Sequence, residues 1–349
     1  MDTENQKPTL KTLGVVRRKS FSTSQEAVTM GPLEKRSNGS TLPWLIQPAL
    51  NDLNGAEWAK AHREMLQGLL LEHGALLFRK FDLQHIAAFE QFFQIIAGNL
   101  LEYYQRSSPR THLQGHVYTS TDYPADQKIF LHNENSYQRT WPLKIAFFCI
   151  TPALQGGETI IADCRRVLAH LDPAIKQRFS EKQVMYVRNY NTGFGLNWQT
   201  VFQTTDKAVV EAYCRQSGIE FCWLGDTRLR TRQVLPALSK HPLTGEMIWF
   251  NHATFFHIST LESAFREALL AEFQEEELPN NSYYGDGTPI EPEVMASLRA
   301  AYEQETVSFP WQKGDVLLLD NMLTAHGRSP FIGERKVVVA MAEPQSHQA

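Results

Sequence analysis

Apolar and polar positions along this chain follow a helical period at first and later form short, strand-like runs. Apolar residues spaced at about 3.6 predict helices over 55–72 and 84–97, which Gly74 and Gly98 end. The short apolar run 75–78 between these helices predicts a buried strand. The first ordered part of the chain is therefore expected to be two helices around one strand.

Beyond residue 115, strand-like runs dominate and helical stretches interrupt them in the middle. Strands are predicted at 144–150, 158–163, 315–320 and 336–341. Helices are predicted at 165–180, 206–217, 260–276 and 291–304. Gly218 ends the second of these helices. A capping box of Ser259 and Glu262 begins the third, and Pro292 lies in the first turn of the fourth.

This order of elements predicts a mainly β fold with N-terminal and inserted helices (α+β). The expected core is a double-stranded β-helix, the jelly roll of cupin-like proteins, with a ligand site at its mouth. Residues 1–42 are rich in Lys, Ser, Thr and Gly and poor in aromatic side chains, so they are expected to form a flexible N-terminal arm. Residues 43–349 are expected to form a single domain.

The charge balance and the cysteines limit the class of protein. The chain has 34 basic and 38 acidic residues, a net charge of −4, which argues against a nucleic-acid partner. No apolar run approaches the ~20 residues that cross a bilayer, and the polar N-terminus lacks a signal-peptide core. No membrane partner and a cytoplasmic location are therefore expected. The four cysteines show no C-x-x-C spacing and are interpreted as free thiols.

Two histidines and one glutamate offer a set of metal ligands. In the run LHNEN, His132 and Glu134 are two residues apart, so on a strand both side chains point the same way. His326 follows the strand-like run GDVLLLDN far downstream, and the fold would have to bring it alongside. Two imidazoles and one carboxylate on one face of a metal are the ligand set of non-haem Fe(II) oxygenases. Neighbouring polar residues are candidates to orient these ligands, namely Asn133, Asp320 and Asn321.

Arg335 and Thr159 could bind an anionic cosubstrate beside such a metal. Arg335 lies at the start of the strand-like run ERKVVVAM, where a buried guanidinium needs a partner and matches a carboxylate with two hydrogen bonds. Thr159 follows a Gly-Gly-Glu turn and could donate a hydroxyl hydrogen bond to the same carboxylate. Alternatives stay open: Arg335 as a strand-edge charge, Thr159 as an ordinary strand residue, and His326 as a surface loop histidine.

Several short motifs, taken in their order, resemble those of one enzyme family. They are HNENSY followed by WPLKIAFFC, GGET, RNY, WQ, WFNHATFFH, YGDG and the closing GDVLLLDNMLTAHGRSPFIGERKVVVAM. Over residues 43–342 the chain resembles the iron- and 2-oxoglutarate-dependent dioxygenases of the TauD/TfdA superfamily. It is most similar to their syringomycin-biosynthesis hydroxylase (SyrP-like) and clavaminate-synthase-like branch.

The resemblance implies cofactors and a role for each candidate residue. Fe(II) would bind His132, Glu134 and His326, with 2-oxoglutarate as cosubstrate and O₂ as oxidant. Thr159 and Arg335 match positions that bind the distal carboxylate of 2-oxoglutarate. The implied reaction is hydroxylation of an unactivated C–H bond of an amino acid or an amino-acid-derived metabolite, with succinate and CO₂ as co-products, in secondary-metabolite biosynthesis. Related halogenases have a small residue at position 134, so a carboxylate there favours hydroxylation over halogenation.

The resemblance also bears on the substrate. The segment from His326 to Arg335 is shorter than in taurine dioxygenase, and Val339 stands where that enzyme has a substrate-binding arginine, which argues against a sulfonate. The substrate would be a small amino-acid-like molecule, either free or tethered to a peptidyl carrier domain. Candidates to bind its carboxylate are Arg188, Asn191, Arg228, Arg230 and Arg328. The oligomeric state, including a homo-oligomer, stays open.

Three alternatives to a hydroxylase remain. The same oxidising chemistry could serve desaturation, cyclisation or epimerisation. A non-catalytic cupin-like protein could hold the metal, but it has no need for a cosubstrate anchor such as Arg335. A zinc hydrolase would need a general base near the metal and no dicarboxylate site.

Overall fold

A computed structural model describes residues 27–50, 53–102, 110–120, 123–193 and 195–347. The strands in these ranges are β1 (Val28–Pro32), β2 (Trp44–Pro48), β3 (Ala75–Phe78), β4 (His112–Gln114), β5 (Val117–Thr119), β6 (Ile129–His132), β7 (Thr140–Thr151), β8 (Gln155–Gly156), β9 (Thr159–Asp163), β10 (Val184–Tyr190), β11 (Glu220–Leu224), β12 (Arg228–Leu235), β13 (Leu238–Lys240), β14 (Met247–Trp249), β15 (Asn280–Tyr284), β16 (Val316–Asp320), β17 (Thr324–Arg328), β18 (Phe331–Ile332) and β19 (Lys336–Ser346). The α-helices are α1 (Gly55–Ala61), α2 (Arg63–His73), α3 (Ile86–Ala97), α4 (Cys164–His170), α5 (Pro173–Lys182), α6 (Trp198–Phe202), α7 (Lys207–Ser217), α8 (Ala253–Phe256), α9 (Ser263–Glu272) and α10 (Pro292–Glu305). The predicted mixture of helices and strands is confirmed.

The largest sheet has eight strands in the order β1-β2-β3-β16-β7-β19-β5-β4. Only β2 and β3 pair in parallel among these neighbours, and the other pairs are antiparallel. The central strand β7 is buried along nearly all of its length. A strand covered on both faces is apolar at consecutive positions, which explains why its sequence shows a continuous run rather than alternation.

The two faces of the large sheet bury different partners. On one face Phe78 and Phe148 pack with Trp58 and Phe89 of the N-terminal helices. On the other face Phe147, the neighbour of Phe148, joins a cluster that includes Ile161 of β9. Successive side chains of a strand point to opposite faces, so the large sheet lies between helices α1–α3 and a smaller sheet.

The smaller sheet has three strands in the order β6-β17-β9. Its far side packs against the long insertion between β9 and β16, whose own four-stranded sheet runs β11-β12-β10-β15. Two short antiparallel strand pairs, β13-β14 and β18-β8, complete the sheets of the described residues. The strands that carry the predicted ligands are therefore enclosed between the large sheet and the insertion.

Two predicted helices are each divided in two. The stretch 55–72 forms α1 and α2, which meet at His62, where the backbone leaves helical geometry. The stretch 165–180 forms α4 and α5, because Pro173 lacks an N–H and begins a new helix after Asp172. Gly74 ends α2 in the left-handed conformation as predicted.

Two other expectations differ from the structure. The predicted capping box is wrong: α9 begins after Glu262, and Ser259 Oγ instead contacts His257 Nδ1 and Arg299 at 2.8 and 2.7 Å. The strand β1 lies within the stretch expected to be an arm, since it pairs with β2. Residues 1–26 of that stretch lie outside the described residues. No helix in the described ranges is long and apolar enough to cross a membrane.

Candidate active site

Two neighbouring strands bring the three predicted metal ligands together. His132 ends β6, and His326 of β17 lies directly opposite it in the antiparallel register. Glu134 follows in the turn after β6. One ligand atom from each side chain lies within 4.8 Å of the others. Since metal–ligand bonds are about 2.0–2.2 Å long, this spacing fits one ion, and the three residues could hold a metal.

Hydrogen bonding and burial leave both imidazoles available as neutral ligands. His132 Nδ1 donates to the Phe130 carbonyl at 2.9 Å, which leaves the lone pair on Nε2. His326 Nε2 is 3.9 Å from Glu134 Oε2, and its Nδ1 is buried with no hydrogen-bond partner among the described residues. Burial lowers the pKa of His132 and places that of His326 well below its usual range. A metal therefore has no proton to displace from either ring near pH 7.

The buried amide of Asn321 holds the backbone of Glu134 from both sides. Asn321 Oδ1 accepts from the Glu134 N–H at 2.8 Å, and Nδ2 donates to the Glu134 carbonyl at 2.9 Å and to the Pro142 carbonyl at 2.8 Å. Asn133 Nδ2 in turn donates to the Asn321 carbonyl at 2.6 Å. These contacts fix the backbone position of Glu134, from which its carboxylate extends, although Asn321 is far away in the sequence.

Asp320 shapes the turn that leads to His326. Its Oδ1 accepts from the backbone N–H groups of Met322 and Leu323, both at 3.0 Å. Its Oδ2 lies 3.0 Å from Nε2 of the buried His241. Asp320 therefore acts on the loop between β16 and β17, whereas its neighbour Asn321 acts on the carboxylate ligand.

Arg110 is a site residue that the sequence reasoning missed. Its guanidinium donates to Glu134 Oε2 at 2.7 Å, and both side chains are almost fully buried. Its positive charge contributes to the lowered pKa values of His132 and His326. A carboxylate oxygen has two lone pairs, so Glu134 can accept from Arg110 and still ligate a metal. No local motif marks Arg110, because its partner comes from another part of the chain.

Thr159 and Arg335 both lie near the Gly156–Gly157 turn. Arg335 Nε donates to the Gly157 carbonyl at 2.7 Å, and the Arg335 stem lies so close to Gly157 that a Cβ there would come within 2.9 Å of it. Thr159 Oγ1 accepts from Trp311 Nε1 at 3.3 Å, which leaves the hydroxyl proton free to be donated. The glycine thus lets the guanidinium approach the strand that carries the threonine.

The charge of Arg335 is not neutralised by the protein. Burial and, to a smaller extent, the positive charge of Arg328 lower the pKa of the Arg335 guanidinium to about 10. In the described part of the chain no carboxylate lies at ion-pair distance from it. A desolvated cation of this kind favours binding an anion. The residues present therefore fit both a divalent metal and a carboxylate-bearing cosubstrate.

Comparisons with known proteins decide the family. A sequence profile of the family described as taurine catabolism dioxygenase TauD, TfdA family, matches residues 39–341. The chain belongs to the TauD/TfdA dioxygenase family. It is 43% identical to the dapdiamide synthesis protein DdaC of Enterobacter agglomerans over 300 residues, which cover 86% of this chain and 91% of that protein. It is 29% identical to a clavaminate synthase-like protein of Arabidopsis thaliana, covering 89% and 97% of the two chains.

A solved structure agrees with this family at the level of the fold. The structure of PvcB, described as an Fe, alpha-ketoglutarate dependent oxygenase from an isonitrile synthetic pathway, superposes with a TM-score of 0.53. The sequences are 17% identical, and the match covers 91% of this chain and 92% of that one. As a member of the TauD/TfdA family, the chain is an enzyme that uses Fe(II), 2-oxoglutarate and O₂. Membership argues against the non-catalytic binding protein and the zinc hydrolase.

Among the candidate substrate residues, Arg188 of this TauD/TfdA enzyme lines an internal cavity. The cavity has a volume of about 30 Å³ and is walled by aromatic side chains. The Arg188 guanidinium lies 5.1 Å from the ring centres of Tyr137 and Tyr190, and its Nε donates to Asn280 Oδ1 at 3.3 Å. No carboxylate within the described ranges pairs with it. Arg188 therefore keeps positive charge available inside the molecule.

Arg228 and Arg230 make contacts on the insertion sheet. Arg228 lies 3.6 Å from Glu277 in a partly exposed ion pair. Arg230 Nε donates to Asn189 Oδ1 at 2.7 Å, and its NH2 donates to a backbone carbonyl. These contacts hold β12 to its neighbours.

Asn191 and Arg328 also have partners within the fold. Asn191, at a φ of 61°, accepts from the Trp198 N–H at 3.0 Å just before α6. The Arg328 guanidinium donates to the carbonyls of Tyr123 and Gln127 at 3.0 and 2.9 Å. Both side chains therefore organise loops.

His252 is a second residue that the sequence reasoning did not place in the site. It belongs to the motif WFNHATFFH, which contributed only to the family resemblance. Its buried ring lies 5.5 Å from the His132 ring, and its Nδ1 is 2.8 Å from Ser136 Oγ. Burial holds the pKa of His252 well below its usual range, so a neutral imidazole packs beside the candidate metal ligand His132.

Proposed function

We propose that this TauD/TfdA enzyme hydroxylates an unactivated C–H bond of an amino acid or of an amino-acid-derived metabolite. The observation that carries the proposal is the pairing of a complete candidate ligand set at His132, Glu134 and His326 with the half-buried cation of Arg335, which has no ion-pair partner among the described residues. Bound Fe(II) and 2-oxoglutarate supply the chemistry: 2-oxoglutarate loses CO₂ and becomes succinate, one oxygen atom of O₂ enters succinate, and the other enters the substrate C–H bond.

The residues have separate tasks in this proposal. His132 and His326 present neutral nitrogen ligands, and Glu134 supplies the carboxylate that Asn321 and Arg110 orient. Arg335 and Thr159 anchor the far carboxylate of 2-oxoglutarate through a guanidinium and a hydroxyl donor. A carboxylate at position 134 fills the place that a halide would need, which favours hydroxylation.

The proposed fold and pathway have separate support. The large sheet faces the smaller sheet across a common core, the arrangement that a double-stranded β-helix requires. One relative is named for dapdiamide synthesis, and PvcB is described as part of an isonitrile synthetic pathway. Both names support a role in natural-product biosynthesis.

Arg188 is the residue we propose for binding the substrate carboxylate. Tyr137 contacts His252 at 4.9 Å, and His252 in turn contacts His132, so the aromatic wall of the Arg188 cavity reaches the metal site. A guanidinium stacked among tyrosines and without an ion-pair partner is suited to bind a carboxylate.

Anaerobic titration of Fe(II)-loaded protein with 2-oxoglutarate tests the class of reaction. We expect a visible charge-transfer band that disappears, with formation of succinate, when O₂ is admitted. His326→Ala should lose both the band and the succinate. His257→Ala is the control: it removes a half-buried histidine that is not a candidate ligand, and it should keep both. Formation of succinate at the normal rate by His326→Ala contradicts the ligand assignment.

Product analysis then separates hydroxylation from its alternatives. Amino acids should be offered both free and loaded on a peptidyl carrier domain. A product with one added oxygen atom supports hydroxylation, whereas loss of two hydrogen atoms identifies desaturation or cyclisation. Incorporation of ¹⁸O from ¹⁸O₂ into the product is the decisive measurement.

A further inference from the structure

An open groove with a volume of about 500 Å³ runs along the chain that follows Glu134. Asn135, Arg139 and Trp141 all line it. Ligand sites in proteins commonly have volumes of about 300–1,000 Å³. The groove therefore has room for a molecule of amino-acid size or larger, and its wall begins one residue from a candidate metal ligand.

Asn135 brings an unsatisfied acceptor to this wall. Its side chain is 9% exposed, and its Oδ1 is buried without a hydrogen-bond partner among the described residues. Its backbone has a φ of 58°, and its carbonyl accepts from the Gln138 N–H at 2.9 Å, which closes the turn. A buried amide oxygen without a partner is unfavourable. A ligand N–H would recover that energy.

Trp141 brings an unsatisfied donor to the same wall. Its ring is 6% exposed and packs against Phe250 and His347, with ring centres 5.1 and 4.5 Å apart. Its Nε1 is buried and has no partner within the described residues. Since an indole N–H can only donate, it calls for a carbonyl or another acceptor from a ligand.

Arg139 adds a positive charge between these two residues. It lines the groove, and in the part of the chain that the structure describes no carboxylate pairs with its guanidinium. A guanidinium binds carboxylate or phosphate groups with two parallel hydrogen bonds. Three residues that line the groove thus carry an acceptor, a donor and a cation on one short stretch of chain.

We infer that this groove binds a ligand with a secondary amide next to an anionic group. The amide N–H donates to Asn135 Oδ1, the amide carbonyl accepts from Trp141 Nε1, and the anion pairs with Arg139. The inference rests on the proposed function and deepens it, because it assigns the substrate to amide-linked amino-acid derivatives. The anionic group at Arg139 is then a group other than the carboxylate that we propose for Arg188. Two sources share this chemistry: a free N-acyl amino acid, and the phosphopantetheine arm of a carrier domain.

The test compares N-benzoylglycine with O-benzoylglycolate, which share the ring, the carbonyl and the carboxylate and differ only in N–H versus O. Calorimetry on protein loaded with Mn(II) and 2-oxoglutarate under argon measures binding without turnover. The native protein should bind the amide about tenfold more tightly than the ester, since one hydrogen bond to a buried acceptor gives roughly that factor.

Three variants divide the contacts. Asn135→Gly keeps the left-handed backbone accessible and should abolish the preference for the amide. Trp141→Phe and Arg139→Gln should weaken amide and ester equally, because both probes carry the carbonyl and the carboxylate. Gln183→Gly is the matched control, since Gln183 also has a positive φ, of 63°, at the end of α5, and it should change neither affinity.

Equal binding of amide and ester by the native protein overturns the inference, as does no binding of either probe. A preference that survives in Asn135→Gly overturns it as well. None of these results contradicts the proposed function as long as the charge-transfer band and succinate still form. Only the absence of that band in the native protein contradicts the proposed function. Tighter binding of 4′-phosphopantetheine than of N-benzoylglycine assigns the groove to a carrier arm, and the reverse order assigns it to a free substrate.

Discussion

Asn321→Ala tests how the fold holds the carboxylate ligand. The change removes three side-chain hydrogen bonds, to the Glu134 N–H, the Glu134 carbonyl and the Pro142 carbonyl, where the amide is 0% exposed. At about 1 kcal/mol for each bond the loss is ~3 kcal/mol, and the buried groups left without partners raise it to ~3–5 kcal/mol. Domains of this kind unfold with about 5–15 kcal/mol, so the metal-free protein should unfold at a clearly lower urea concentration.

Metal affinity should fall together with stability. Loss of a residue that orients a metal ligand commonly weakens binding by about 10- to 100-fold. Asn321→Asp has nearly the same shape and keeps an acceptor for the Glu134 N–H, but it replaces the donor that serves two carbonyls with a second acceptor. We therefore expect it to weaken metal binding at least as much as Asn321→Ala.

Urea unfolding of the metal-free protein and Mn(II) titration followed by electron paramagnetic resonance measure the two effects. Asn281→Ala is the matched control: its amide is also buried and bonds to Glu275 and Tyr283 at 2.9 and 3.0 Å. It should lower stability and leave Mn(II) affinity unchanged. The reasoning is refuted by an Asn321→Ala protein that binds Mn(II) normally, or by an equal loss of affinity in Asn281→Ala.

Three further predictions concern the cosubstrate, the pH dependence and the scaffold. Arg335→Gln should weaken 2-oxoglutarate binding by roughly 30- to 1,000-fold, because losing one partner of a buried charge pair costs about 2–4 kcal/mol. Its Mn(II) affinity should stay the same. The charge-transfer titration measures 2-oxoglutarate affinity, and an unchanged affinity would refute the role of Arg335 as the cosubstrate anchor. Burial, together with the smaller effect of the Arg299 charge, lowers the pKa of His257 to about 4. Below pH ~6.5 His257 is therefore protonated in the unfolded chain while it stays neutral in the folded chain. Stability should be full above pH ~6.5 and fall by ~3 kcal/mol as the pH drops towards 4, and His257→Asn should flatten this part of the urea-unfolding profile. Arg79 donates to both carboxylate oxygens of the fully buried Asp315. Arg79→Leu should therefore lower the free energy of unfolding, followed by thermal unfolding, by about 3–5 kcal/mol, because it leaves a buried charge unpaired. Adding Asp315→Leu removes that charge and should restore most of the lost stability.

Local patterns were sufficient for many of the elements. The apolar run of β7 follows from its burial on both faces. The period of two does not place His132 and Glu134, because β6 ends at His132 and Glu134 lies in the turn that follows. The helix ends at Gly74 and Gly98 also follow from local chemistry, since both glycines have positive φ angles. Such features depend on a few neighbouring residues, which is why the sequence predicted them.

Other boundaries needed the whole fold. The Ser259–Glu262 capping box satisfies the local pattern, but Ser259 bonds instead to His257, two residues before it, and to Arg299, which the tertiary structure brings close. The strand β1 has an unremarkable sequence and exists as a strand because β2 offers its edge. Local propensity is a weak preference that tertiary contacts override.

By itself the sequence determined the buried strands, the candidate metal ligands and the family of this protein. Only the tertiary structure decided that Arg110 and Asn321 hold Glu134, that Gly157 receives the stem of Arg335, and that Asn135 and Trp141 share a groove. Contacts such as these join residues far apart along the chain. They depend on strand register and on packing between layers. Because these long-range features determine which groups come close together, they also determine which side chain is oriented by a neighbour and which is left without a hydrogen-bond partner.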